Sequence, residues 1–384
     1  MDIRSGAPEP RVVTPHAAPR PVRGAAAVTA AALLLTMAGS LTDPSHPPTA
    51  DGALQLTATT TQTETRTFGK SVQGRKLTVT TVGDPTAARR VLVFGCIHGN
   101  ECAGTKVVNH LKKSKPPAGI QYVLVPTINP DGQRTGRRQN ARGVDLNRNF
   151  PTRWKRAGKK WDTYYPGRKA LSEPEARAAH QLIKDVAPTL TLWYHQQMNL
   201  VDFCGGTVNA AKIYGKRTGM KVKKLTRYGG SAATWQNAAR KRTTILNVEL
   251  PRRVTAAAVR RHGAAVIAAA KAAPGRPGNP VRLRAKTEGT RAHFSWLAAS
   301  SNGAKVTGYD LAIRSQAAGS TPTAWRTTAV GAATRARTVA VEPGRTYTVR
   351  IRANNSQGRG QWSTIRFTTA APEPTPTPTA TASA

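Results

Sequence analysis

The sequence predicts an α/β domain, helices flanking a central sheet, followed by a smaller all-β module. Three observations carry this. Between about residues 67 and 272, short apolar runs alternate with stretches of helical periodicity, which is the pattern of an α/β domain. Pro274-Gly-Arg-Pro-Gly-Asn-Pro280 then interrupts the chain, as clustered Pro and Gly do at boundaries. Beyond it, to about residue 370, the apolar positions follow strand-like alternation.

Taken in order, Thr67 to Val82 reads as an opening hairpin. Val91-Leu-Val-Phe94 is apolar throughout and reads as a strand buried on both faces. Tyr122-Val-Leu-Val-Pro126 reads as a second strand, and Asn129-Pro-Asp-Gly132 as the turn after it. Ser172-Glu-Pro-Glu175 has the spacing of a capping box with Pro early in the helix, and Ala176 to Val186 continues that helix. Thr191-Leu-Trp-Tyr-His195 and Thr244-Ile-Leu-Asn-Val-Glu249 are later strands, each ending on a chemically active residue. A helix from Thr255 to Ala272 closes the domain. His110, His180 and His262 fall in helical patterns and carry no site signal.

In the second module, Ala292–Trp296, Gly308–Arg314, Thr338–Val341 and Thr346–Ala353 read as strands. Its length, Trp296 as a buried-Trp candidate, and Pro343-Gly-Arg-Thr-Tyr347 as a tyrosine corner together resemble a fibronectin type III module. That resemblance implies an immunoglobulin-like sandwich in which the aromatics, Trp362 at the start of the last strand included, belong to the core. Pro372-Glu-Pro-Thr-Pro-Thr-Pro-Thr379 opens a Pro/Thr-rich tail.

The N-terminus carries Arg4, Arg11, Arg20 and Arg23 ahead of an apolar run from Ala25 to Ala38. A basic segment before a short apolar run reads as a signal peptide, too short for a comfortable membrane span. The expected organisation is therefore a leader over 1–50 and a Thr-rich linker over 51–66. The α/β domain follows over 67–273, the Pro/Gly linker over 274–280, the β-module over 281–370 and a disordered tail over 371–384. The mature chain is expected to be exported, without a membrane span and monomeric.

The 384 residues include 58 Lys and Arg against 19 Asp and Glu, a formal charge of +39. Such an excess points to an anionic environment or partner. Aromatics make up only 5% of the chain and do not interleave with the basic residues. That argues against a specific nucleic-acid site and favours an anionic cell-wall polymer. Export permits disulfides. Cys96 reads as a buried small apolar residue in its strand, whereas Cys102 and Cys204 both follow site motifs and are a possible pair.

The chemistry concentrates in His98-Gly-Asn-Glu101, just past the Val91–Phe94 strand. An imidazole and a carboxylate three residues apart at a strand's C-terminal end suit a zinc site, which needs a third ligand and an open position. Three further segments add to it: Asn129-Pro-Asp-Gly132, Arg138-Gln-Asn-Ala-Arg-Gly-Val-Asp-Leu-Asn-Arg-Asn-Phe-Pro151, and the paired strand ends at His195 and Glu249. With these motifs in this order, the region from about Thr67 to Ala272 resembles the zinc metallocarboxypeptidases, the carboxypeptidase A-like family whose bacterial branch includes murein-peptide amidases. The resemblance implies a mixed central sheet with flanking helices.

The resemblance implies roles as well. His98, Glu101 and His195 would be the zinc ligands, and Glu249 the general base. Asn147 and Arg148 would grip a substrate's terminal carboxylate, Arg138 would stabilise the developing oxyanion, and Asp145 would orient His98. Tyr228 directly precedes Gly229-Gly230-Ser231, closer than the family's capping tyrosine, and is the nearest substitute for it. Ala232, after that Gly-Gly-Ser, occupies the family's specificity position, and Asp202 could supply an acid to the same pocket. The implied activity is zinc-dependent removal of the C-terminal residue from peptides with a free carboxylate, cell-wall peptides included. An amidohydrolase of small N-acyl amino acids and a non-catalytic wall-binding protein are the competing classes. A complete ligand set with Glu249 disfavours the latter.

Overall fold

A computed structural model describes residues 62–371. The leader, most of the Thr-rich linker and the Pro/Thr tail expected from the sequence lie outside the described residues. No helix among the described residues is long and apolar enough to cross a membrane.

The first domain is built on an eight-stranded mixed sheet. Its strands are β1 (Thr63–Lys70), β2 (Lys76–Val82), β3 (Arg89–Phe94), β4 (Ile120–Val125), β5 (Leu190–Gln196), β6 (Leu200–Gly205), β7 (Lys221–Lys223) and β8 (Thr244–Leu250). Their spatial order is β1-β2-β4-β3-β5-β8-β6-β7. The expected hairpin is present, but β1 begins at Thr63, inside the stretch read as linker.

The strands β4, β3, β5 and β8 run parallel at the centre. Parallel strands need helical crossovers, so both faces are covered. Along β3, Val91 and Val93 face one core with α1 (Gly104–Lys112), α4 (Val208–Thr218) and α6 (Ala256–Ala272). Leu92 and Phe94 face the other, with α3 (Pro174–Val186) and α5 (Ala232–Ala239). That two-sided burial explains why β3 is apolar throughout rather than alternating. Phe94 stacks on Trp193 of β5 with ring centroids 3.8 Å apart. Gly104 lets α1 sit hard against the sheet: a Cβ there would lie 2.3 Å from that of Tyr194 and 2.5 Å from the Gly95 carbonyl.

Three local readings are corrected. Asn129-Pro-Asp-Gly132 is the first turn of a short helix, α2 (Pro130–Thr135), with Asn129 as N-cap accepting from the Gly132 N–H. The sequence cue was right about a chain reversal, and Pro at N1 continues it as helix. Ser172 makes no capping box. The N-cap of α3 is Glu173, and Glu175 instead accepts from the Val72 N–H at 2.9 Å and from Asn140. Glu175 is thereby committed to the turn after β1 rather than to the helix end. The disulfide joins Cys96 to Cys102, Cα atoms 4.7 Å apart across the His98–Glu101 loop. Cys204 is a free, buried thiol bonded to the Asp202 carboxylate.

The second domain is a β-sandwich. One sheet has β9 (Arg284–Glu288), β10 (Arg291–Ser295) and β13 (Ala336–Ala340). The other has β11 (Val306–Ala317), β12 (Arg326–Gly331), β14 (Arg345–Asn355), β15 (Gly358–Arg359) and β16 (Ser363–Thr368). Phe294, Trp296, Tyr309, Leu311, Val349 and Ile351 fill the space between. Tyr347 closes the expected corner, its hydroxyl accepting from the Glu342 N–H at 2.8 Å. Trp362 does not join this core. It is half-buried on the outside, where Arg350 and Arg352 lie over its ring.

The Pro/Gly stretch between the domains is pinned rather than loose. Gly275 N–H donates to Asn302, Arg276 N–H to Ala88, and Arg89 bridges Ala273 and Asn302 with its guanidinium.

Behind the central strands, Tyr194, Tyr214 and His262 form a buried hydrogen-bonded chain, with Tyr214 Oη 2.7 Å from His262 Nδ1. Burial, with Arg261 nearby, lowers the His262 pKa to about 4. The unfolded chain therefore takes up this proton near pH 6.5 while the folded chain does not. Stability is expected to fall as pH drops from about 6.5 to 4, by up to one proton's slope of about 1.4 kcal/mol per pH unit. Urea unfolding of the wild type and His262→Gln across that window checks this. The variant curve should lack that part of the loss.

Candidate active site

The site lies where the parallel strands end, as expected of an open α/β sheet. Registry brings its parts together. Leu190 of β5 pairs with both Val91 of β3 and Thr244 of β8, and His195 stands directly opposite Glu249. The loop leaving β3 carries His98 and Glu101, held shut by the Cys96–Cys102 bridge at its two sides.

His98, Glu101 and His195 converge, with one possible ligand atom from each within 4.8 Å of the others. Glu101 Oε2 lies 2.9 Å from His98 Nδ1 and 3.2 Å from His195 Nδ1. The other His98 nitrogen, Nε2, donates to Asp145 Oδ1 at 3.0 Å. Neutral His98 would then aim its Nδ1 lone pair at a carboxylate oxygen. That is repulsive unless a cation, a proton or a metal ion, sits between them. Two imidazoles and one carboxylate are zinc's usual ligands, so the donor set fits the metal.

The charges agree with this reading. Burial alone would raise the Glu101 pKa, but hydrogen bonds from His195 and His98 hold it well below the carboxylate range. Burial likewise opposes ionisation of Asp145, and His98 and Arg138 overcome it, leaving this buried carboxylate charged. For Glu249 burial prevails and its pKa is raised.

Asp145 also N-caps the 3-10 turn Leu146–Arg148, accepting from the Asn147 N–H. That turn presents Asn147 and Arg148 to a cavity of about 380 Å³ that His98, Glu101, His195 and Glu249 also line. Arg138 spans the two carboxylates, donating to Glu101 Oε1 at 2.8 Å and to Asp145 Oδ2 at 3.0 and 3.2 Å. It thus stands beside the metal cluster, on carboxylates rather than free. Arg148 lies between Tyr164 and Tyr228, its Cζ 5.0 and 4.7 Å from their rings.

Two specificity residues are placed differently from expectation. Ala232 is the first residue of α5, buried in the core, and its N–H donates to Asn147 Oδ1. The helix turns its neighbours Ala233 and Thr234 toward the cavity instead. Asp202 does line the cavity, but Arg227 Nη1 donates to both of its carboxylate oxygens, at 2.7 and 2.9 Å, and Asn247 and the Leu225 N–H also donate to it. It is no free acid. Tyr164 and Arg227 were missed in the sequence, since one of two adjacent tyrosines in a loop outside the motifs and one Arg among many carry no signal there.

Sequence comparison agrees with the geometry. The zinc carboxypeptidase profile matches residues 54–245, half of the chain. Murein peptide amidase A of Vibrio campbellii is 30% identical over 197 residues, covering 48% of this chain and 78% of that protein. The chain belongs to the zinc carboxypeptidase family. Murein peptide amidase A of Escherichia coli K12 is 31% identical over 150 residues, but the match spans 36% of this chain and 61% of that protein. The crystal structure of a murein-tripeptide amidase from Escherichia coli O157 superposes with a TM-score of 0.44 at 23% identity, covering 53% of this chain and 90% of that one. The fibronectin type III profile matches residues 276–369. The carboxypeptidase match stops before Glu249, so the placement of that residue rests on the β5–β8 register.

Asp145 sets the His98 tautomer, so Asp145→Asn is expected to weaken zinc binding about 10–100-fold. His195→Ala removes a ligand and should leave the purified protein with well under one equivalent of zinc. Metal analysis after dialysis against a graded chelator series measures both. Wild-type zinc retention in either variant overturns the ligand arrangement.

Proposed function

We propose that this enzyme is an exported carboxypeptidase that removes the C-terminal residue from cell-wall peptides. One observation carries the reading. The same cavity holds the His98–Glu101–His195 cluster, a carboxylate opposite His195, and an Arg–Asn pair suited to a free C-terminus.

His98, Glu101 and His195 would hold zinc, which when bound supplies the Lewis acidity of a hydrolytic centre. Arg148 and the Asn147 amide bind the terminal carboxylate, the planar guanidinium in bidentate fashion. Tyr164 and Tyr228 flank that guanidinium and hold its plane. Arg138 neutralises Glu101 and Asp145 and offers its exposed edge to the scissile carbonyl oxygen as charge develops there. Glu249 takes a proton from the attacking water and returns it to the leaving amine. Its raised pKa suits a group that must both accept and release that proton.

The Asp202–Arg227 pair is the guide to the released side chain. Each charge of that pair is already met by the other, so it offers no free acid to a plain basic side chain. The names of the murein peptide amidases support a wall-peptide substrate. Export is supported by the basic-then-apolar leader and the +39 charge.

Glu249→Gln is expected to keep one equivalent of zinc and lose about 10²–10⁴-fold in kcat. Unchanged turnover in the metal-loaded variant rules out Glu249 as base. Arg148→Ala should cost about 2–4 kcal/mol in kcat/KM on peptides with a free C-terminus, and clearly less on the amidated analogues. Assaying both substrates side by side makes the test, since equal losses would mean that Arg148 acts only on structure.

A further inference from the structure

The outer face of the larger β-module sheet carries a ladder of guanidiniums and indoles. Along β14, Val349, Ile351 and Ala353 are buried in the core, so Arg350 and Arg352 point outward. Registry puts Arg314 of β11 and Arg366 of β16 on either side of Thr348, on the same face. Trp325 lies just before β12 and Trp362 just before β16. Arg314 and Arg350 lie over Trp325, with Cζ 4.6 and 3.8 Å from its ring centre. Arg350 and Arg352 lie over Trp362 at 4.4 and 4.2 Å.

The charge on this face is almost all of one sign. Asp310 is its acid, and Arg352, Arg359 and Asn354 already use it. Arg314, Arg350 and Arg366 have no ion-pair partner among the described residues. The Nε atoms of Arg314 and Arg350 are shut off from solvent without an acceptor, so their Nη groups are what the face offers. Holding like charges this close is costly: burial, with Arg352 and Arg314 nearby, lowers the Arg350 pKa. A bound anion would relieve that repulsion.

We propose that this face docks the β-module onto a polyanion whose repeat is a phosphodiester-linked polyol. The guanidinium-bearing positions step by about 6.8 Å along β14, from Arg350 to Arg352, and Arg314 and Arg366 stand two strand spacings, about 9.6 Å, apart across Thr348, an array that a repeating anion satisfies better than a single one. Guanidinium edges pair bidentately with phosphate oxygens. Each indole already holds two guanidiniums, so its ring is not free to stack a base, as single-stranded nucleic-acid sites require. A polyol phosphate asks for no stacking. The proposal goes beyond the hydrolytic reading and does not depend on it, since no ladder residue lines the catalytic cavity.

The test uses the full-length, zinc-loaded protein and immobilised poly(glycerol phosphate) as probe. The double variant Arg314→Gln/Arg350→Gln should bind at least 10-fold more weakly, with a log–log salt slope shallower by about one per arginine removed. Arg366→Gln touches neither indole and should weaken binding about 3-fold without changing Tm. A charge-matched control on α4, Lys216→Gln/Arg217→Gln, should leave binding unaltered. Hydrolysis of a small soluble peptide should be unchanged in all three, which separates this proposal from failure of the active-site reading. Several outcomes overturn it: no binding by wild type, an equal loss in the α4 control, or no effect of Arg366→Gln. Equal affinity for single-stranded DNA or phosphatidylglycerol vesicles, with the same variant losses, would assign the face to a different partner.

Discussion

The carboxylate of Asp145 is the constraint on which the site depends. It is fully buried, yet it stays charged because every approach to it is occupied. His98 Nε2 and two Arg138 nitrogens donate to it from the metal side, and the Asn147 N–H donates from the 3-10 turn. One group therefore sets the tautomer of a metal ligand, anchors the cation beside the cluster and starts the turn that presents Asn147 and Arg148. An isolated buried carboxylate would cost several kcal/mol. Distributed over these donors, that cost becomes a mechanical link between the metal cluster and the carboxylate clamp, so neither can shift without the other.

The sheet supplies the rest of the geometry. Central strands buried on both faces cannot slip by one residue without exchanging their two cores. Val91 and Val93 would trade places with Leu92 and Phe94, and the Phe94–Trp193 stack would break. Because registry is locked this way, strand ends are reliable platforms. His195 and Glu249 face each other across β5 and β8 through that locking alone. A zinc ligand and a carboxylate held on rigid strands need little help from loops, and the loop that does contribute, His98 to Glu101, is clamped by its disulfide.

This division explains what could be read in the sequence. The strands were legible because double burial leaves uninterrupted apolar runs, and His98, Glu101, His195 and Glu249 were singled out because they stand at or just past those runs in the motif order of the family resemblance. Pairings that depend on where side chains point in space were not. Cys102 and Cys204 both follow site motifs, yet the loop after Cys96 brings it to Cys102, six positions on. Ser172 and Glu175 have capping-box spacing, yet the Val72 N–H competes for the carboxylate and wins. Ala232 holds the right place after Gly-Gly-Ser, but helical rotation turns it inward, and Thr234 reaches the cavity. Asp202 was weighed as an acid for the pocket, while Arg227, its neutralising partner 25 residues later, looked like any other basic residue.

Charge imbalance joins the two domains in one argument. With 19 acids for 58 Lys and Arg, most cations cannot find a carboxylate. The acids are spent where burial demands them: Asp145 and Glu101 on Arg138, Asp202 on Arg227, Asp131 on Arg75, Asp310 on Arg352. The remaining guanidiniums must be solvated or laid on aromatic faces, where cation–π attraction replaces a counter-charge. Both solutions occur at sites open to a ligand. Arg148 rests between Tyr164 and Tyr228 beside the cavity, and Arg314, Arg350 and Arg352 rest on Trp325 and Trp362 on the β-module. In each case an indole or phenol holds the guanidinium plane in position without cancelling its charge. An incoming carboxylate or phosphate then meets an oriented cation whose side-chain entropy is already spent, which is the arrangement that recognition of an anion rewards.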